Sequence, residues 1–199
     1  MDSDSPSTPP AFAFGFEMAL GVAALFLGWL VGHSPIRTMT TAGSWDAWPT
    51  VAGWGLAAAC PMLVALLVIE RLRWAPLAEL HEVVERHIVP MFAPLTVIEL
   101  ALLSAAAGLG EELLFRGLLQ DGLAAWLGGR YGVWVALAAA SFVFGVCHAL
   151  TSAYAVVATA IGAYLGLLFL HTDHLLAPII AHAVYDFVAL LYLVRWKRN

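Results

Sequence analysis

The run LSAAAGLGEELLFRGLLQ, residues 103–120, decides how the rest of the chain is read. Small and apolar residues surround two acids, Glu111 and Glu112, and one base, Arg116. A soluble helix would carry such charges on a polar face, and this run has none. Ionisable side chains at membrane depth are costly; they persist where they pair, line a water-filled cavity or do chemistry. Two later segments repeat the pattern: Phe144-Gly145-Val146-Cys147-His148 and His182-Ala183-Val184-Tyr185-Asp186.

Composition points the same way. Of 199 residues, 62% are hydrophobic and 12% charged, against roughly 25% charged in a soluble domain. The expected fold class is all-α, a polytopic membrane helix bundle. A bilayer is crossed by about 20 apolar residues in helix. The apolar runs then give about six transmembrane helices: 12–31, 51–69, one from 94 through the acid pair, 131–148, 154–170 and 175–194. Residues 71–87 mix Leu77, Leu80, Val83 and Val84 with Glu79, Glu82, Glu85 and Arg86, which predicts a helix lying on the membrane surface. Trp45, Trp48, Trp54, Trp74 and Trp196 fall near the expected span ends, where an aromatic belt belongs.

Residues 1–10 are rich in Ser, Pro and Asp and read as a disordered tail; 11–199 read as a single transmembrane domain, with the motifs inside 94–193. The first apolar run lacks a basic flank and a small-residue cleavage site, so it is expected to stay as a helix. Six spans put both termini on one side, together with Arg71, Arg73, Arg86, Arg195, Lys197 and Arg198. The positive-inside rule therefore expects a multi-pass protein of the cell membrane with cytoplasmic termini. Cys60 and Cys147 fall in apolar spans and read as small buried side chains, without a disulfide framework. The chain has no basic run with interleaved aromatics, which argues against nucleic acid as a partner. The lipid bilayer is the expected surroundings.

Helix geometry sorts the charges. Glu112 and Arg116 are four apart and share a face, whereas Glu111 lies roughly 140° from Arg116 and looks elsewhere, with Phe115. One carboxylate is thus paired and its neighbour left over, which suits a general base. The plainer alternative is a structural Glu-Arg clamp with Glu111 bordering a wet groove. A turn at Gly128-Gly129-Arg130 lies midway between Glu111 and His148, so a helical hairpin there brings the two level. That hairpin makes its first helix longer than the bilayer is thick, so it must protrude or kink. His182 and Asp186, four apart, share a face with Tyr185 nearby. Counting through the fifth span leaves them about 15 Å from His148 in depth at 1.5 Å per residue, a gap for tilt or a re-entrant piece to close.

Other polar residues read more plainly. Glu17 and Glu99 are expected to be helix–helix hydrogen bonders or pore-side groups. His171, Asp173 and His174 read as a solvated turn, with a metal site as the alternative. The helix at His81-Glu82 lacks the second histidine of the zinc-protease pattern. No span serine has the setting of a serine protease, Gly43-Ser44 falling in a loop.

In their order, E-E-x-x-x-R, F-x-x-x-H and H-x-x-x-(N/D), these motifs resemble the CAAX protease and bacteriocin-processing family of intramembrane endopeptidases. Leu114-Phe115-Arg116-Gly117 and Phe144-Gly145 also look like its prokaryotic members. The resemblance implies hydrolysis of a peptide bond in a membrane-associated protein or peptide. It implies that Glu111 acts with His148 on water, that His182 and Asp186 stabilise the oxyanion, and that Glu112, Arg116, Phe115 and Phe144 support them. Family members have been described both as metal-dependent and as glutamate-dependent. The cofactor expectation is thus none, or a divalent metal such as zinc with Glu111, His148, His182 and Asp186 as candidate ligands. One residue departs: where CAAX endopeptidases carry Asn, this chain has Asp186, and an ionised carboxylate cannot donate a hydrogen bond. Two rival readings stand beside the enzyme. One is a non-catalytic relative serving as scaffold, immunity factor or regulator; the other is a solute or ion transporter using the same buried carboxylates.

Overall fold

The computed structural model describes residues 10–41 and 47–197, and among them the regular structure is all helical. In chain order come α1 (Pro10–Val31), the short α2 (Arg37–Thr41) and α3 (Trp48–Arg71). Next is α4 (Ala75–Val83), which continues through a π-helical segment, Val84–Ile88, into α5 (Val89–Phe92). A long helix follows, made of α6 (Val97–Glu112), a π-helical segment (Leu113–Gln120) and α7 (Asp121–Leu127). Then come α8 (Gly129–Cys147), α9 (Ser152–Thr172) and α10 (Leu176–Leu191), the last with a π-helical end at Tyr192–Trp196. The expected tail at 1–9, Gly43-Ser44, Trp45 and Arg198 lie outside the described residues. Pro10, assigned to the tail from sequence, opens α1.

Among the described residues five helices are long and apolar enough to cross a membrane, and the expected spans 12–31, 51–69, 131–148, 154–170 and 175–194 fall on them. The sixth expected span is a special case. Val97–Leu127 qualifies only together with Ala75–Phe92, from which it is bent by 114°. Its charges, Glu111, Glu112 and Arg116, set it apart from the lipid-like helices around it. The protein is therefore a polytopic membrane helix bundle of five spans, or six when the motif helix is counted. The expected surface helix begins at Ala75 and runs past its predicted end to Phe92.

Local chemistry sets the boundaries. Thr96 starts α6 with a capping box: its hydroxyl accepts from the Glu99 N–H at 3.2 Å, and the Glu99 carboxylate accepts from the Thr96 N–H at 2.8 Å. Glu99 was expected to face a neighbouring helix or a pore; instead it is consumed in capping its own helix. Gly128 and Gly129 have φ of 67° and 64°, values that L-residues avoid, and they close the α7–α8 hairpin where the sequence placed it.

Packing follows the logic of membrane interiors, where small residues let helices approach. The helix α6 is packed between α1 and α10; α10 also packs on α3, and α8 on α9. A Cβ on Gly110 would fall 2.0 Å from the Glu17 carbonyl oxygen, so only glycine allows α1 to cross α6 there. Outward faces carry large apolar side chains such as Phe26, Trp29, Val64 and Phe142. In lipid that is the ordinary surface, which corrects the expectation for the cysteines: Cys60 and Cys147 are both exposed. An apolar span does not imply a side chain buried in protein.

The depth mismatch is also resolved. The guanidinium of Arg116 bonds the Gly162 carbonyl and Gln120 bonds that of Gly166, while Phe169 shares a cluster with Leu113 and Leu175. The Phe144 ring meets both His148, at 4.4 Å, and His182, at 6.0 Å, so the two histidines lie level and the gap of about 15 Å counted along parallel helices is absent.

Candidate active site

The site is assembled where α6 meets its π-helical continuation. Glu111 and Glu112 are the last residues of α6, and Arg116 lies in the wider π turn that follows; such turns recur at functional sites. Glu112 and Arg116 are fully shielded, at 0% and 1% exposure. Arg116 Nη1 donates to Glu112 Oε1 at 2.6 Å and Nη2 to the Gly162 carbonyl at 2.9 Å. Its guanidinium carbon also sits 4.7 Å over the Phe144 ring. One arginine thereby joins the motif helix to α8 and α9. Phe144 meets Phe115 edge-on at 5.0 Å, so the supporting residues expected from sequence form one packed unit.

Behind this clamp lies a contact that sequence reasoning did not foresee. His182 Nδ1 is 2.8 Å from Glu112 Oε1, so the carboxylate holds both Arg116 and His182. Since a carboxylate accepts, Nδ1 carries the proton. The other nitrogen, Nε2, faces Asp186 Oδ2 at 3.4 Å. A single proton between them would serve the pair, since either atom can hold it.

Glu111 turns away from the clamp, as its rotation around the helix requires. Its Oε2 lies 3.6 Å from His148 Nε2 and, although buried, has no hydrogen-bond partner among the described residues. His148 follows the last turn of α8, where Nδ1 donates to the Phe144 carbonyl at 2.8 Å and the imidazole stacks on the Phe144 ring at 4.4 Å. With Nδ1 occupied as donor, a neutral His148 presents Nε2 as an acceptor. A gap of 3.6 Å between two acceptors is too long for a direct bond and suits a water that donates to both.

The carboxylate opens onto a cavity of about 320 Å³. Its wall includes Tyr154, Tyr185 and Asp186, together with Glu17 from α1, Glu70 from α3 and His81 from α4. Glu17 is thus one of the pore-side groups its sequence reading allowed. Tyr154 was missed, and the sequence offered only a phenol near the start of an apolar span as a signal. Its ring meets His148 edge-on at 6.2 Å.

The fit of a metal can be judged from the donors. His182 has Nδ1 held by Glu112 and Nε2 turned to Asp186, while His148 has Nδ1 committed to a carbonyl. Among the described residues no three His, Cys, Asp or Glu side chains form a group able to hold an ion. The quartet expected from sequence therefore does not make a tetrahedral zinc site in this arrangement. The alternative site at His171-Asp173-His174 is also not formed. His174 is 1% exposed and its Nδ1 accepts from the Leu176 N–H at 3.1 Å, while His171 packs edge-on against Trp54 at 4.8 Å. The expected solvated turn holds for His171 and Asp173, both exposed, whereas His174 is buried against the start of α10.

Comparison with protein families matches residues 93–188 to the type II CAAX prenyl endopeptidase, Rce1-like family. The match spans the capping box, Glu111, His148, His182 and Asp186, and excludes α1 and α3. No curated protein and no solved structure matches the chain.

Proposed function

We propose, from the premise that this chain belongs to the CAAX protease family, that it is an intramembrane endopeptidase. It hydrolyses a peptide bond of a membrane-associated protein or peptide with water activated by Glu111. The observation that carries this reading is Glu111 Oε2, unpartnered at the wall of a cavity and 3.6 Å from His148 Nε2. A water there donates one proton to each acceptor, leaving its oxygen lone pair toward a carbonyl in the cavity. Glu111 takes the proton as the oxygen attacks and returns it to the leaving amine, as one general base and acid.

The tetrahedral intermediate needs a donor for its oxyanion. His182 and Asp186 supply it through the proton they share, so Asp186 need not be ionised in the sense that casts doubt on its role. Glu112 and Arg116 fix the His182 ring in place; they are positioning residues. Residues Glu111, His148, His182 and Asp186 are thus the proposed catalytic set, acting without a metal. The substrate reaches them through the cavity, with the chain's termini on the cytoplasmic side of the cell membrane.

The test compares protein C-termini in membranes of cells carrying the wild-type chain or Glu111→Ala. New C-termini present only with the wild type are expected. Identical sets alongside a phenotype that Glu111→Ala retains would favour the non-catalytic scaffold.

A further inference from the structure

Glu17 is the one ionisable residue of α1, a helix whose other side chains face lipid or neighbouring helices. It lies outside the segment shared with the family. Yet its backbone carbonyl marks the close crossing over Gly110, the residue before Glu111. That crossing sets Glu17 at the depth of the proposed general base.

Four carboxylates border the cavity: Glu17, Glu70, Glu111 and Asp186. Three have partners. Glu70 is bridged by Lys197 at 2.6 Å, Asp186 faces His182, and Glu111 faces His148. Glu17 has no ion pair among the described residues, and its Oε2 is buried without a hydrogen-bond partner. Neither lysine nor arginine borders this cavity. Beside it Glu111, at 8% exposure, borders the same space while its Oε2 faces His148 at 3.6 Å. A buried acceptor left unmade is unfavourable, and a substrate donor would relieve it.

We propose that Glu17 is a specificity-determining residue: it receives a lysine or arginine side chain of the substrate peptide next to the scissile bond. This rests on the peptidase reading for what occupies the cavity, but its recognition chemistry is separate. A cation is favoured over a neutral donor because Glu17 is, among the described residues, the carboxylate of this cavity that no basic side chain answers. Charge-assisted bonds to a carboxylate are about twice as strong as neutral ones.

Binding keeps the two claims apart. The full chain in lipid nanodiscs is titrated with membrane-anchored peptides that differ at one position, lysine, norleucine or glutamate, scanned along the peptide. The proteins are the wild type, Glu17→Gln and Glu17→Lys, with cleavage of each peptide recorded in parallel. At one position the wild type should prefer lysine over norleucine by about tenfold, the worth of one charged hydrogen bond. Glu17→Gln should erase that preference, and Glu17→Lys should transfer it to glutamate. The same rank order in all three proteins would overturn the proposal, even if the peptides are cleaved. A charge swap without any cleavage would uphold it and remove the peptidase reading. Glu17→Gln guards against misfolding of the lysine variant, because it nearly conserves shape.

Discussion

Glu112 is the residue on which the site depends for its shape. It carries two partners, Arg116 and His182, from a fully buried position. Breaking a buried pair by deleting one member typically costs about 3–5 kcal/mol, because the other charge is left stranded. Arg116→Ala is therefore expected to lower the melting temperature sharply, and Glu112→Gln in the same chain to recover part of the loss. Strictly additive losses in that double-mutant cycle would show that the two do not act as a pair. Asp186 tests the shared proton. Asn donates through its amide at any pH, so Asp186→Asn should keep turnover and carry it to higher pH; loss of turnover at every pH would remove Asp186 from oxyanion duty. At this scale the Glu112–Arg116 spacing and the rotation of Glu111 were legible, since both are local properties of one helix. The bond from His182 to Glu112 was not, because it joins residues 70 apart across helices whose crossing no local pattern encodes.

Among the elements, the motif helix and α1 form the contact with most consequence. Gly110→Ala would drive a methyl into the Glu17 carbonyl, whereas a Cβ on Gly15 meets nothing within 4 Å. Gly110→Ala should thus displace α1, destabilise the protein and reduce turnover, while Gly15→Ala leaves both unchanged. Thermal unfolding and peptide cleavage, measured side by side, check this; equal behaviour of the two variants would mean that α1 does not need the close crossing. Element positions were readable from hydropathy because lipid demands long apolar runs. The same signal misled over Cys60 and Cys147, since it cannot tell a lipid-facing side from a protein-facing one. It also gave no sign of the π-helical segments, whose hydrogen bonds shift without any marked change in composition. The direct packing of α10 on α6, hidden from residue counting, is what brings His182 to the motif helix.

For the whole molecule, the arrangement separates scaffold from chemistry. Five apolar helices hold a sixth that is too charged to resemble them, and its charges face inward rather than outward to lipid, Glu112 and Arg116 fully buried and Glu111 bordering a cavity. The segment matched to the family carries the proposed catalytic set, while α1 and α3 supply walls, including Glu17 and Glu70. The central claim is that Glu111 is the base that makes water a nucleophile in this enclosure. It is tested most directly by the turnover of purified Glu111→Gln against a membrane-anchored peptide that the wild type cleaves. The variant nearly preserves size and should insert and melt like the wild type. The account predicts turnover at least a hundredfold lower, the scale of general-base catalysis. Turnover within a few-fold of the wild type, in a protein shown to be folded, would contradict it.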